Sequence, residues 1–493
     1  EGGNDAANSN RTAPNPTDID TNSVLAKAGY RFNPQHRVTG TFEYRERKID
    51  TNVLTAVAPT ASASTSVLAL TAHDKMDRSR VSLEHRYEDL NAAWIQQATT
   101  QIYLQDSETR QYSFEDRNTA ADRIRDGSYK ERVIGLSSQA QTQLSGQRLS
   151  YGVDISRNRI EGLRDGTIPP AGETFPNKPF PDTDYTLAGA FVQDEIEAGD
   201  FSVIPALRYE HYKLAPKSAG YTGEAVSLSD HAISPRLGAI WRATPALQPY
   251  VQWSLGFRAP TPDQVNNGFA NPTQGYRSVG NPDLKAEHAN SWEIGLRGKI
   301  AETLRWQLSA YDNRYRDFIS QEIVSGAGTQ ADPLVFQYIN LSQARIKGVE
   351  ARAMWDVTRG LSLNASIAKS RGHSIQAGVE EPLDSIQPLR ARLGARYELG
   401  DWSVEGSWVH SAGKKTSDIS TPTWFAPPKY DVVDLGGAWR VSKALTVSAY
   451  ITNLFDKKYW RWGDVTGIAA NSAVLDSYTA TGRAAQVSLR AEF

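Results

Sequence analysis

Trp355-Asp-Val-Thr-Arg-Gly360-Leu-Ser-Leu-Asn-Ala-Ser-Ile367 reads as one half of a β-hairpin with its turn. Arg359-Gly360 supplies the turn, because glycine enters the left-handed backbone region without a Cβ clash. Beyond it, Leu361, Leu363, Ala365 and Ile367 alternate with Ser362, Asn364 and Ser366. Period two sends the apolar set to one face of a strand and the polar set to the other. The same alternation returns in Leu445, Val447, Ala449 and Ile451 against Thr446, Ser448 and Thr452. It returns again in Trp402, Val404 and Trp408 against Ser403, Glu405 and Ser407.

Working outward, short turns fall at Asn33-Pro34-Gln35-His36, Leu90-Asn91, Ser145-Gly146, Ala198-Gly199, Thr244-Pro245, Ala301-Glu302, Arg359-Gly360, Gly400-Asp401 and Ser442-Lys443. Long polar connections lie between them, near 49–77, 107–129, 159–185, 212–231, 259–288, 318–336, 372–387, 412–429 and 456–481. Strict alternation of short and long connections is the mark of an outer-membrane barrel, with short periplasmic turns and long external loops. Trp241, Trp355 and Trp439 precede short turns, and Phe201, Trp306 and Trp402 follow them, where an interfacial aromatic girdle belongs. The pattern predicts about 19 strands in a single unit, residues 1–493. An odd count beginning outside predicts that further strands lie upstream in the parent protein.

Composition agrees. The 493 residues carry a formal net charge of -2, so no global basic field points to nucleic acid. Cysteine is absent, which excludes disulfides, thiolate metal sites and cysteine nucleophiles. Mean hydropathy is -0.50. A membrane barrel also reads as polar, because only alternate residues meet lipid. No long apolar run or signal peptide is visible, which predicts a mature or truncated chain. No phosphate-binding glycine loop or nucleophile elbow points to an enzyme, and no catalytic residue or catalytic cofactor is expected.

Two boxes flank the most distinctive loop. Phe257-Arg258-Ala259-Pro260 ends one alternating segment, and Asn281-Pro282-Asp283-Leu284 leads into the next. Loops held between strands commonly carry binding chemistry. Parity puts Arg258, Glu293 and Arg297 on the inward face, where a lumen charge network is expected.

These boxes resemble those of TonB-dependent outer-membrane receptors, in the branch that handles haem and haemoproteins. Gly280-Asn-Pro-Asp-Leu-Lys-Ala-Glu287, Ile346-Lys-Gly-Val-Glu350, Asn453-Leu-Phe-Asp-Lys-Lys-Tyr459 and Tyr478-Thr-Ala-Thr-Gly-Arg483 extend the resemblance, as does Arg-Thr-Ala-Pro-Asn-Pro-Thr at 11–17. The tail sets Val487, Leu489, Ala491 and Phe493 on one face, like the last strand of outer-membrane proteins. The resemblance implies an all-β, 22-stranded transmembrane barrel in the outer membrane of a Gram-negative bacterium. It implies a plug, absent here together with the first strands, through which the TonB complex acts. Haem, free or from a host haemoprotein, would be the transported ligand, and outer-membrane lipid the surroundings. A receptor for a ferric siderophore or another large solute, or a passive porin, stays open.

Such receptors place a histidine between the boxes, and none occurs from Thr261 to Gly280. Tyr276 is the tyrosine of that span, and a phenolate is a good ligand for ferric iron. Tyr276 is therefore expected to ligate the haem iron, with Arg277 favouring the anion and Gly275 leaving room for a flat porphyrin. Eight histidines are present, and no pair has helical metal-ligand spacing. His73, His231 and His373 lie in or beside long connections and could meet an external ligand.

Overall fold

The computed structural model describes residues 3–492 apart from 170–172, 272–274, 330 and 377. β1 (Thr17–Arg31), β2 (His36–Asn52), β3 (Val67–Glu88), β4 (Gln97–Arg117), β5 (Arg123–Leu144), β6 (Gln147–Gly166), β7 (Asp182–Ala198), β8 (Phe201–Lys217), β9 (Leu228–Trp241) and β10 (Gln248–Arg258) come first. A four-residue helix α1 (Pro262–Val265) and two short strands, β11 (Gly268–Asn271) and β12 (Tyr276–Val279), follow. Next are β13 (Glu287–Ile300), β14 (Leu304–Ser325), β15 (Leu334–Thr358), β16 (Leu361–Gln376) and the short β17 (Val379–Pro382). β18 (Arg390–Leu399), β19 (Trp402–Ser411), β20 (Tyr430–Arg440), β21 (Leu445–Thr452), helix α2 (Trp462–Val465) and β22 (Ala484–Ala491) end the order.

All 22 strands belong to one sheet. Three of them, β11, β12 and β17, are four-residue pieces inside loops, which the periodicity could not register. The rest run up and down in chain order, each antiparallel to the next. All nine predicted short turns are present between them.

The external ends of the strands run further than expected. β4 and β5 pair as far as Glu115 and Arg123, leaving only residues 118–122 as the connection where a loop over 107–129 is predicted. Above the membrane neither face needs to be apolar, so alternation fades while the backbone ladder continues. Cross-strand charge pairs sustain it: Arg132 to Asp106 at 2.6 Å, Arg110 to Asp126 at 2.8 Å and Lys130 to Glu108 at 3.4 Å.

The girdle at the short-turn end is as predicted. Phe201 stacks on Trp241 with centroids 5.9 Å apart, and Trp402 on Trp439 at 4.9 Å. β1 pairs only with β2 and β22 only with β21 among the described residues, and every residue of both edge strands is exposed. The sheet nevertheless curls far enough for the loop after β21 to meet the segment before β1, with Ser477 Oγ donating to the Arg11 carbonyl at 3.2 Å.

Two sets of loops pack at the external end. One buries Ile419, Trp462 and Val465 against Trp424, Phe425 and Leu475. There the Trp462 indole donates to the Asp384 carbonyl at 2.5 Å, and Lys414 lies 4.6 Å over the Trp462 ring. Burial lowers the pKa of the Lys414 ammonium, and its Nζ donates to the Ile386 carbonyl at 2.8 Å. The other set contains the loop between the two boxes.

Candidate functional site

The described residues of the loop over 259–286 are folded, and the boxes are what fold them. α1 opens with a capping box between Thr261 and Gln264 and has Pro262 in its first turn, both helix-starting features. Val265, from α1, and Leu284, from the second box, are almost fully buried with Tyr212, Leu214, Ala286 and Ile319. Phe257 and Ala259 pack against this cluster, and Pro260 is fully buried beside the turn into α1. Burying aliphatic side chains to this degree contributes about 1.5–3 kcal/mol each. Leu284→Ala is expected to destabilise the loop by about 2–5 kcal/mol, read as faster protease cleavage within 259–286. An unchanged cleavage rate would contradict the core assignment.

Polar groups hold the second box to β15. Asn281 Nδ2 donates to the Tyr338 carbonyl at 2.9 Å, and its Oδ1 accepts the Asp283 amide at 3.0 Å. Asn340 exchanges hydrogen bonds with the Lys285 backbone at 2.8 and 2.9 Å and donates to the Asp317 carbonyl at 2.7 Å. Pro282 and Asp283 remain exposed. Buried Asn266 ties the same loop to the 218–227 connection, accepting the Val226 amide at 2.9 Å and donating to its carbonyl at 3.0 Å. Sequence reading missed Asn266, in a polar loop, and Asn340, in β15, because an asparagine in either place carries no signal of the partner it bonds.

Arg258 and Glu287 are register partners across β10 and β13. The guanidinium makes a forked contact with the carboxylate at 2.5 and 2.7 Å. Glu287 is buried, and its Oε1 also accepts the Ile319 amide at 2.7 Å. That amide belongs to the part of β14 that rises past the end of β13. The carboxylate thus continues the ladder where the β13 backbone has stopped. Arg258 sits in the charge network expected at the loop base. Glu293 belongs to a separate group, accepting the Tyr250 hydroxyl at 2.6 Å.

Tyr276 and Arg277 lie on β12, which pairs antiparallel with β11 and parallel with β15, Tyr276 opposite Leu334 and Arg277 opposite Val335. Tyr276 is partly buried and meets Phe336 edge-on at 6.2 Å, while Arg277 is exposed. Arg164 and Glu173 stand in the same neighbourhood. Gly275 does not reserve space for a porphyrin. It has a positive φ of 71°, and a Cβ there would meet the Gly328 carbonyl oxygen at 2.4 Å. Its glycine serves the turn and the close approach of Gly328.

The histidines separate by position. His73 pairs with Asp50 at 2.5 Å, His410 with Asp431 at 2.9 Å, and His36 with His85 at 3.0 Å. His231, His288 and His373 line one cavity of about 690 Å³ together with Arg314, Arg316 and Arg345. They come from different strands, so no sequence spacing could unite them. Among the described residues no group of three His, Asp or Glu side chains is arranged to hold a metal ion.

A sheet of long antiparallel strands with lipid-facing apolar rows, short turns at one end and packed loops at the other defines a membrane β-barrel of the outer-membrane class. The chain belongs to the TonB-dependent receptor family: the model described as TonB dependent receptor-like, beta-barrel matches residues 9–454. It is 27% identical over 299 residues to hemoglobin-haptoglobin utilization protein B of Neisseria meningitidis, covering 52% of this chain and 36% of that protein. It is 25% identical over 359 residues to heme/hemopexin utilization protein C of Haemophilus influenzae, covering 66% and 47%. The chain therefore spans less than half the length of these curated relatives. Among solved structures, the copper transporter OprC superposes with a TM-score of 0.69 at 19% identity, covering 98% of this chain and 81% of that one. The Serratia marcescens hemophore receptor HasR, solved with its hemophore and heme, gives 0.71 at 14%, covering 96% and 71%. These likenesses concern the fold. The relatives are transport receptors rather than enzymes.

Proposed function

We propose that this chain is the barrel of an outer-membrane receptor that imports haem, free or taken from a haemoprotein, by TonB-energised transport. The observation that carries the reading is the similarity to the two haem and haemoprotein utilization proteins. In the whole receptor, a plug would close the lumen and receive the pull of TonB, and further strands would pair with β1 and β22. The two unpaired edges support that part of the reading.

The iron ligand on this reading is Tyr276, with Arg277 beside it and the two boxes as the frame that holds β12 against β15. A residue of the plug is the next candidate for the ligand, because His231 and His373, the other histidines near external loops, line the cavity on the outer wall with Arg345. Haem titration of the full-length receptor is expected to give a Soret band that shifts on binding. Tyr276→Phe keeps the ring and removes the oxygen, so phenolate charge-transfer bands should vanish and uptake should fall. An unchanged ferric spectrum in that variant would remove Tyr276 from the site. Absence of any Soret change in the wild-type receptor would favour the second reading, a receptor for a ferric siderophore or another metal complex. The copper transporter likeness motivates that reading at the level of fold alone.

A further inference from the structure

We infer that the outer wall of strands β13–β16 carries a binding site for a phosphate-bearing lipid of the outer leaflet. The inference is independent of the haem reading.

Strand register places the residues. Low on the lipid-facing side, one row runs Leu296, Leu308, Ala351, Ile367, and it is apolar throughout. Two rows higher, Trp253 meets Trp292 with centroids 6.3 Å apart, and the row continues through Asp312, Lys347 and Arg371. The next row carries Arg314, Arg345 and His373, and the one above it His288 and Arg316. Partners across an antiparallel ladder point to the same side. The cations therefore share the face of Trp292 and Ile294, not the lumen.

Height identifies what meets them. Trp355 marks the aromatic girdle at the short-turn end of β15. The rise from Trp355 to Arg345, at about 3.3 Å per residue and a tilt of roughly 40°, is about 25 Å. That equals the apolar band of such barrels, about 25 Å tall, so Arg345 and its neighbours lie where acyl chains give way to headgroups.

Charge selects the chemistry. Two carboxylates stand in these rows, and both are taken: Asp312 is held by Arg345 at 2.5 Å and Arg314 at 3.2 Å, and Glu380, at the far end of the Arg316 row, lies 3.4 Å from His373. Among the described residues Arg316, Lys347 and Arg371 have no ion pair, and all three are exposed. Uncompensated cations beside a bilayer attract anionic headgroups. Guanidinium forks match phosphate oxygens, and Phe257, Leu255 and Ile233 add apolar wall to the cavity that Arg314, Arg316 and Arg345 line just above Lys347 and Arg371. An acylated sugar bearing phosphates fits both the cations and the apolar rows beneath them.

The test uses the purified full-length receptor in detergent and a bis-phosphorylated lipid A as probe. The triple variant Arg316→Gln, Lys347→Gln, Arg371→Gln should bind it roughly a hundredfold more weakly, at about fivefold per charge. Arg316→Lys with Arg371→Lys, which keeps the charge, should stay within a few-fold of wild type. Dephosphorylated lipid A should bind wild type as weakly as the intact lipid binds the triple variant. Equal binding of the two lipids by wild type, or wild-type affinity in the triple variant, overturns the site. Competition by inorganic phosphate at concentrations matching the lipid would overturn the lipid assignment. Should the triple variant not fold, the lysine variant and the comparison of the two lipids on wild type still decide.

Discussion

In the full-length receptor, Glu287→Ala is expected to release the loop between the boxes while leaving the barrel itself intact. Three bonds end on that carboxylate, two from Arg258 and one from the Ile319 amide. Arg258 is partly open to water, so its share of the loss is reduced by solvent screening. The Ile319 residue is buried, and leaving its N–H without an acceptor costs about 1–3 kcal/mol. The total comes to about 3 kcal/mol, or roughly a hundredfold in the population of the opened loop. Protease cleavage between Ala259 and Ala286 should rise accordingly. Glu287→Gln keeps an acceptor for the amide and should lose less. Arg258→Lys should fall between them, since an ammonium cannot make the forked contact. If all three variants are cleaved at the wild-type rate, the pair does not hold the loop.

The second large effect concerns the sheet edges. Expressed as residues 1–493 alone, the chain is expected not to form a stable barrel in detergent or lipid. β1 and β22 each leave one row of backbone N–H and C=O groups unpaired among the described residues. Each such group in contact with hydrocarbon costs several kcal/mol, which no loop contact at the external end offsets. The Arg11–Ser477 contact draws the ends together above the membrane and satisfies no edge group within it. On denaturing gels the full-length receptor should migrate faster unheated than boiled, as intact barrels do, and the isolated chain should run the same either way. A heat-dependent shift of the isolated chain would show that the edges find each other.

The long strands, their direction and their facing were legible from residues alone, because a lipid-facing strand is forced into period two, whereas the three four-residue strands inside loops were not. Leu361 to Ile367 and Leu445 to Ile451 have that pattern whatever surrounds them, and tight turns such as Arg359-Gly360 mark the ends. Where the bilayer stops the constraint stops too. The Arg110–Asp126 pair lies in strand that reads as loop, since charges on both faces hide the ladder. Local sequence also located the two boxes, yet not their work. Only the tertiary structure showed Leu284 and Val265 in one core, Glu287 completing the edge of β14, and Gly275 closed against Gly328. It alone set Lys347 and Arg371 side by side on the lipid face, with Arg316 two rows above them. Alternation is a property of consecutive residues, whereas these neighbours are brought together by hydrogen-bond register between strands distant in the chain, which no stretch of sequence contains.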